Sequence, residues 1–149
     1  MKISDSFEIE AARAEVWSVF MDAQKLASCV PGCKDIRTIS LTKYEAMMEV
    51  KVPFMTITFK ATGELKEAVE QETLNVEMIG QPLALAGLFR NRLTLQLEEL
   101  ESRRTLVRYE MDLQMTGRLA SLGEILMKGT VKKSAEEFAR CVQERFVAQ

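Results

Sequence analysis

Apolar and polar residues alternate over most of the chain, with the period of two that a half-buried β-strand requires. Residues 2–10 place Ile3, Phe7 and Ile9 on one side. The same period continues in five further rows: Tyr44, Ala46, Met48, Val50 and Val52; Met55, Ile57, Phe59, Ala61 and Leu65; Leu74, Val76 and Met78; Leu93, Leu95 and Leu97; Val107, Tyr109, Met111, Leu113 and Met115. One-sided alternation predicts an antiparallel sheet with one solvated face, and its apolar face needs a cover.

A long helix near the C-terminus is predicted to supply that cover. Apolar residues recur every three or four positions from Leu122 to Phe146. Ser121 and Glu124 have the spacing of a capping box at a helix start. A helix of about 25 residues would be about 38 Å long, enough to cross a sheet. A second helical region, residues 13–28, presents Val16, Trp17, Phe20 and Leu26.

The order of these elements predicts the fold class. It runs from a strand through a helical pair to a run of strands and then the long helix, whereas a parallel sheet needs a helix between successive strands. We therefore predict one α+β domain over residues 1–149. Its curved antiparallel sheet, of about six to seven strands, wraps around the C-terminal helix, with two short helices after the first strand. A bent sheet and a straight helix meet more readily at their ends than in the middle, which leaves room for a cavity.

Length and charge narrow the class of partner. A chain of 149 residues suits one buried core. Because 20 Lys and Arg stand against 22 Asp and Glu, with a net charge of −2, no strong attraction to nucleic acid is expected. The N-terminus lacks the apolar core of a signal peptide, and the longest apolar run, Leu83–Phe89, falls short of the roughly 20 residues that span a bilayer. These features predict a cytoplasmic protein, with the inner face of the membrane as an alternative location.

Cys29 and Cys33 lie on either side of Pro31 and Gly32. Zinc and iron–sulfur sites use four ligands, usually Cys and His, and this chain has three Cys and no His. The Cys-x3-Cys spacing is not that of a thioredoxin-like pair, and intracellular thiols are mostly reduced. The favoured interpretation is a type II Pro-Gly turn with Cys29 as a small buried residue and both thiols free. A reversible disulfide and a metal site are the minor alternatives; no cofactor is predicted.

Catalytic chemistry finds little support in the sequence. Without His there is no Ser-His or Cys-His pair, and the carboxylates lie mostly on the polar side of the strands. Tyr44 and Tyr109 are inward polar groups, but such tyrosines are more often core residues that bond a backbone carbonyl. The sequence therefore favours a protein without enzymatic activity.

Two apolar features leave alternatives open. Met48, Met55, Met78, Met111 and Met115 lie on inward rows, where flexible thioethers either adapt to a ligand or simply fill a core. Residues 80–93, GQPLALAGLFRNRL, are interrupted by Pro82 and Gly87. That segment is either the mouth through which a lipophilic ligand enters or a bent strand packed on the helix.

Three stretches carry a resemblance to a known family: VWSVFMDAQKLASCVPGC, VKVPFMTITFKATGEL and YEMDLQMTGRLASLGEIL. They resemble the family of the carbon monoxide dehydrogenase G protein (CoxG), within the superfamily of START and birch-pollen-allergen-like domains, over nearly the whole chain. The most specific pieces are Val16-Trp17, Asp22, Leu26, Cys29, Pro31-Gly32 and residues 117–123.

The resemblance implies a helix-grip fold around a hydrophobic cavity and an accessory role beside a molybdenum hydroxylase of the carbon monoxide dehydrogenase type. The expected function is to hold a lipophilic molecule, with a quinone as the expected ligand. A polyketide cyclase-like enzyme acting on an aromatic substrate and a ligand-free assembly factor are the alternatives. Many members of the family carry an apolar membrane-binding extension, which is not part of this sequence, so peripheral membrane contact stays an open alternative.

The predicted cavity wall combines the inward strand rows with the apolar faces of the helical regions. Its residues are Trp17, Phe20, Met48, Val50, Phe59, Met78, Leu95, Met111, Leu113 and Leu126, with Phe89 at the entrance. Because the inward rows offer no paired charges, binding is expected to depend on apolar contact.

Overall fold

The computed structural model describes residues 1–53, 55–121 and 123–147, with residues 124–126 and 147 described by their backbone alone. The strands are β1 (Lys2–Ile9), β2 (Cys33–Thr38), β3 (Lys43–Val52), β4 (Met55–Val69), β5 (Thr73–Pro82), β6 (Phe89–Glu101) and β7 (Arg104–Met115). The helices are α1 (Arg13–Phe20), α2 (Ala23–Ala27), α3 (Gly117–Ala120) and α4 (Glu124–Val147).

All strands belong to one curved antiparallel sheet, in the order β1-β7-β6-β5-β4-β3-β2. Neighbours from β2 to β7 are also consecutive in the chain, whereas β1 returns to pair with β7 and places Phe7 opposite Val107. The predicted α+β helix-grip fold is confirmed. The alternation did not locate β2, because its residues are largely charged and its pairing with β3 shifts register between Lys34 and Arg37.

The Pro31-Gly32 turn is present as predicted. The Cys33 amide donates to the Val30 carbonyl oxygen at 3.2 Å, and Gly32 has a φ of 78°. A Cβ on Gly32 would lie 2.0 Å from the carbonyl oxygen of Glu49, so the close approach of β3 also requires glycine here.

The helical region that follows β1 divides at Asp22. Its carboxylate accepts hydrogen bonds from the amides of Gln24 at 3.1 Å and Lys25 at 3.2 Å, which caps α2. Preceding it, α1 buries Val16 and Phe20 against the sheet. A capped second helix therefore replaces the continuation of the first.

The long helix begins two residues beyond its predicted cap. The Ser121 hydroxyl donates to the Arg118 carbonyl oxygen at 2.7 Å and closes α3, so the predicted capping role of Ser121 is wrong. The first turn of α4 instead uses the Gly123 carbonyl, which accepts from the Met127 amide at 3.1 Å. The side chain of Glu124, the other predicted capping residue, lies outside the described residues. The helix has 24 residues, close to the predicted length.

The buried apolar side chains of the described residues form three clusters. The α1 cluster contains Ile9, Ala11, Val16, Val19, Phe20, Cys29, Leu74, Leu95, Leu97, Val107, Val142 and Phe146. The α3 cluster contains Val52, Ile57, Phe59, Leu119 and Met127. The β1 cluster contains Ile3, Met111 and Leu113.

A disulfide joins Cys29 to Cys141, whose Cα atoms lie 5.4 Å apart, and Cys33 is the free thiol. The prediction that Cys29 is a free thiol is wrong, although its burial was predicted correctly. Cys141 lies on α4, and the packing of α4 near the exit of α2 brings the two sulfurs together. Sequence spacing alone does not show that proximity.

In the parts of the chain that the structure describes, no helix combines the length and the apolar character needed to cross a bilayer.

Candidate functional site

The concave face of the sheet lies beneath α4, which runs from the β3 side to the β1 side. Near its start, Met127 belongs to the α3 cluster. Val131 and Ala135 then pack on the β1 cluster, and Val142 belongs to the α1 cluster. The helix is therefore anchored near both ends of the sheet.

Six inward positions at the middle of the sheet form what we call the central strip. They are Ala46 on β3, Ala61 and Gly63 on β4, Met78 and Gly80 on β5, and Asn91 on β6. The register makes them neighbours, since Ala61 pairs with Ala46 and Gly80, and Met78 pairs with Gly63 and Asn91.

The central strip is less covered than the rest of the inward face. In the described part of the chain, its apolar side chains, Ala46, Ala61 and Met78, belong to none of the three clusters and are half-buried. A Cβ on Gly63 would meet only the Met78 Cγ, at 3.9 Å. Small residues therefore leave room above the middle of the sheet.

Two aromatic rings border the strip at Gly80. Phe59 and Phe89 have ring centroids 6.2 Å apart at an angle of 54°, and a Cβ on Gly80 would lie 3.2 Å from the Phe59 ring. Glycine lets both rings close over the strand. Phe89 also contacts the α3 and β1 clusters, so it connects the strip to both.

Asn91 is the polar member of the strip, and its side chain is 4% exposed. Its Nδ2 donates to the Met111 sulfur at 3.5 Å, and its Oδ1 has no hydrogen-bond partner among the described residues. Sequence reasoning missed it, because the inward row was read only from Leu93 onward. Extending that row two residues back reaches Asn91.

The segment between β5 and β6 is a loop fixed to α3. The Ala86 carbonyl oxygen accepts from the Arg118 amide at 2.9 Å, and the Leu88 amide donates to the Thr116 hydroxyl at 3.0 Å. Leu83 and Leu88 are 63% and 46% exposed, and Leu85 packs on the α3 cluster. The loop thus places apolar side chains in solvent at one end of the sheet.

Ion pairs dominate the outer face. Glu45 pairs with Arg37 at 2.7 Å and with Lys60 at 3.7 Å, and Glu49 pairs with Lys34. The hydrogen bond from Arg37 lowers the pKa of Glu45, and the one from Lys34 lowers the pKa of Glu49. These carboxylates are held in their charged form.

The inward titratable group is Tyr109, whose ring centroid lies 6.3 Å from that of Phe7. Burial raises the pKa of its hydroxyl, and the nearby charges of Asp5 and Glu136 add to that effect. Tyr44 behaves as predicted for a core tyrosine, since its hydroxyl approaches the Leu41 carbonyl oxygen at 3.5 Å. Across the described ranges, no group of three or more Cys, His, Asp or Glu side chains could hold a metal ion.

A polar depression of about 380 Å³ lies on the outer face of β1, β6 and β7. It is lined by Ser4, Asp5, Ser6, Thr94, Gln96, Arg108, Tyr109 and Glu110. Its charged and hydroxyl-bearing wall differs from the apolar inward face.

The sequence matches the CoxG family, named for the G protein of carbon monoxide dehydrogenase, over residues 6–147. The chain belongs to this family. No curated protein sequence matches it significantly.

Solved structures share the fold of this CoxG family member. A conserved protein from Geobacillus kaustophilus has a TM-score of 0.90 and 21% identity, covering 99% of this chain and 96% of that one. A START superfamily protein from Mycobacterium smegmatis has a TM-score of 0.77 and 12% identity, covering 99% and 97%. The Zhui aromatase/cyclase from Streptomyces sp. R1128 has a TM-score of 0.68 and 12% identity, covering 97% and 92%. At these identities the likeness establishes the fold alone.

The residues predicted to line a cavity in this CoxG family member are all buried or half-buried where their side chains are described. They fall into separate groups: Trp17, Phe20 and Leu95 with the α1 cluster; Met48, Val50 and Phe59 with the α3 cluster; Met111 and Leu113 in the β1 cluster; Phe89 between the last two; Met78 on the central strip. The side chain of Leu126 lies outside the described residues. Contact of these residues with a ligand stays a prediction.

Proposed function

We propose that this protein is a non-enzymatic accessory protein of a carbon monoxide dehydrogenase-type molybdenum hydroxylase, and that it carries a quinone between its sheet and α4. The observation that carries this proposal is the central strip, where inward apolar positions are half-buried and small. Protein interiors are normally close-packed, so incompletely covered apolar surface on a concave face is typical of a ligand site.

The chemistry of the strip suits a flat lipophilic ring. Phe59 and Phe89 offer aromatic faces at its border, where a quinone ring can stack or pack edge to face. The Met78 thioether is flexible and polarizable, which lets it adjust to the ring and its substituents. Removing such a ring from water stabilises the complex by about 25 cal/mol per Å² of apolar area.

Transport, rather than conversion, fits the titratable groups. An enzyme that cyclises an aromatic substrate needs an inward acid or base with a suitably shifted pKa. In the described residues, the carboxylates with a resolved pKa shift are Glu45 and Glu49, which lie on the outer face with lowered values. Membership of the CoxG family supports a dehydrogenase as the partner.

The loop between β5 and β6 is the proposed entrance. Leu83 and Leu88 expose apolar surface beside Phe89, at the end of the central strip. A quinone resides in membranes, and exposed leucines at the mouth would allow peripheral contact with that source. The hydrogen bonds to α3 keep the loop in register with the start of the long helix.

The experiment that tests carriage is binding of a short-chain quinone to delipidated protein, measured by equilibrium dialysis and native mass spectrometry. We expect one molecule per chain and an affinity that salt barely changes, because the strip lacks paired charges. Gly63→Leu should block binding, since the new side chain would occupy the room above Gly63.

Thr62→Leu is the matched control, because the adjacent position faces the other side of the same strand. It should bind the quinone as the unsubstituted protein does. Absence of binding to the unsubstituted protein, or equal binding by the Gly63 and Thr62 variants, would reject carriage in the strip and leave a ligand-free assembly factor.

A further inference from the structure

Asn91 occupies a position that its neighbours fill with apolar side chains. Along the same inward row of β6, Phe89 precedes it and Leu93 follows it. Across the sheet it pairs with Met78 on β5 and Leu113 on β7. The backbone therefore tolerates an aliphatic residue in this environment, and the amide needs a reason of its own.

The hydrogen-bonding capacity of the Asn91 amide is only partly used. A thioether sulfur accepts but does not donate, so the nitrogen is the atom that faces Met111. The carbonyl oxygen is then left without a donor among the described residues. A buried acceptor without a partner costs stability relative to an apolar side chain of similar shape.

We infer that Asn91 Oδ1 is the polar contact of the ligand site and accepts a hydrogen bond from a hydroxyl group of the lipophilic ligand. This inference rests on the proposed carrier function and specifies its ligand. A quinone offers only carbonyl acceptors, whereas its reduced hydroquinone form offers O–H donors. The second N–H of Asn91 can donate to an oxygen of either form, so the Oδ1 atom alone distinguishes them. The protein therefore holds a hydroxyl-bearing ring, such as a hydroquinone, more tightly than its carbonyl counterpart.

The test uses two probes that differ in one donor, 1-naphthol and 1-methoxynaphthalene. We expect the unsubstituted protein to bind 1-naphthol about tenfold more tightly, the size of one satisfied buried hydrogen bond. In Asn91→Leu the ratio of the two affinities should fall to about one. Met78→Leu, which alters the next inward position across the sheet, should leave the ratio unchanged.

A second readout separates a ligand contact from a structural role. Without ligand, Asn91→Leu should unfold at a higher temperature, because it removes an unpartnered acceptor. A lower melting temperature would make Asn91 a structural residue and overturn the inference. If Asn91→Leu does not fold, the affinity ratio is measured on Asn91→Ala, which removes the acceptor without adding bulk.

The remaining outcomes distinguish the two proposals. If both probes bind and the ratio is the same in the unsubstituted protein and the Asn91 variant, carriage stands and the role of Asn91 is rejected. If neither probe binds the unsubstituted protein, carriage itself fails and the role of Asn91 fails with it.

Discussion

Cys29 and Cys141 form a disulfide that joins the exit of α2 to α4 across 112 positions of the chain. Cys29 belongs to the α1 cluster and Cys141 packs against it. The bond therefore fixes the long helix to one end of the sheet, next to the side chains of Val142 and Phe146 that already hold it there.

Reduction should lower the stability of the protein. The disulfide closes a long loop, so its loss should reduce the free energy of unfolding by about 2–5 kcal/mol. Chemical denaturation with and without reductant measures the change. Thiol titration of the unfolded, unreduced protein should find one thiol, Cys33, and reduction should raise the number to the three in the sequence.

The control for this prediction is Cys33→Ser, which leaves the disulfide intact and should keep the reductant effect. Three titratable thiols before reduction would contradict the pairing.

Gly32→Ala and Gly129→Ala should change stability in opposite directions. At Gly32 a Cβ would collide with the Glu49 carbonyl oxygen at a positive φ, so the variant should lose more than about 1 kcal/mol. At Gly129, within α4, a Cβ meets nothing within 4 Å, and alanine should stabilise by about 0.5–1 kcal/mol. Urea denaturation compares the two, and a shift of the same sign in both would refute the turn geometry or the helix assignment.

Thr105→Val should destabilise the fold through one hydrogen bond. The Thr105 hydroxyl is fully buried and donates to the Ala11 carbonyl oxygen at 2.9 Å, which ties β7 to the segment after β1. Valine keeps the shape but leaves that oxygen unpaired, at a cost of about 1–3 kcal/mol. Thr94→Val, on the outer face of β6, is the control and should change the free energy by less than about 0.5 kcal/mol. Equal unfolding midpoints for the two variants would argue against the bond.

Glu49→Gln should lower the melting temperature at neutral pH but not in acid. The folded-state pKa of Glu49 lies below its ordinary value of 4.5 because Lys34 stabilises the carboxylate. Its contribution is therefore present above about pH 4.5 and is lost as the pH falls through the folded pKa. Thermal unfolding at pH 7 and at about pH 2, where the carboxylate is protonated, should show the difference shrinking. Glu99→Gln, at an exposed position of β6, is the control; a gap that persists in acid would exclude the ion pair as its cause.

The sheet was predictable because alternation reads directly as one buried face. Rows such as Leu93 to Leu97 and Val107 to Met115 lie on the inward side, as their spacing indicated. β2 was not located, because its charged residues and shifted register remove the period of two.

Features that depend on tertiary contact were not predictable. The pairing of Cys29 with Cys141 follows from where α4 packs, which no local pattern records. Ser121 has the sequence of a cap but bonds the turn before it. Asn91 was overlooked because a polar residue interrupts the apolar row that defines the site.

The pairing of β1 with β7 has a consequence for the rate and order of folding. Strands β2 to β7 can add to one another as successive hairpins, each between neighbours in the chain. β1 cannot join until β7 exists, because Phe7 and Val107 are about 100 residues apart. Such non-local pairing slows folding to the millisecond-to-second range, and the apolar faces of the meander stay exposed to other chains meanwhile. We therefore expect refolding yield to fall with protein concentration, since association competes with the late arrival of β1.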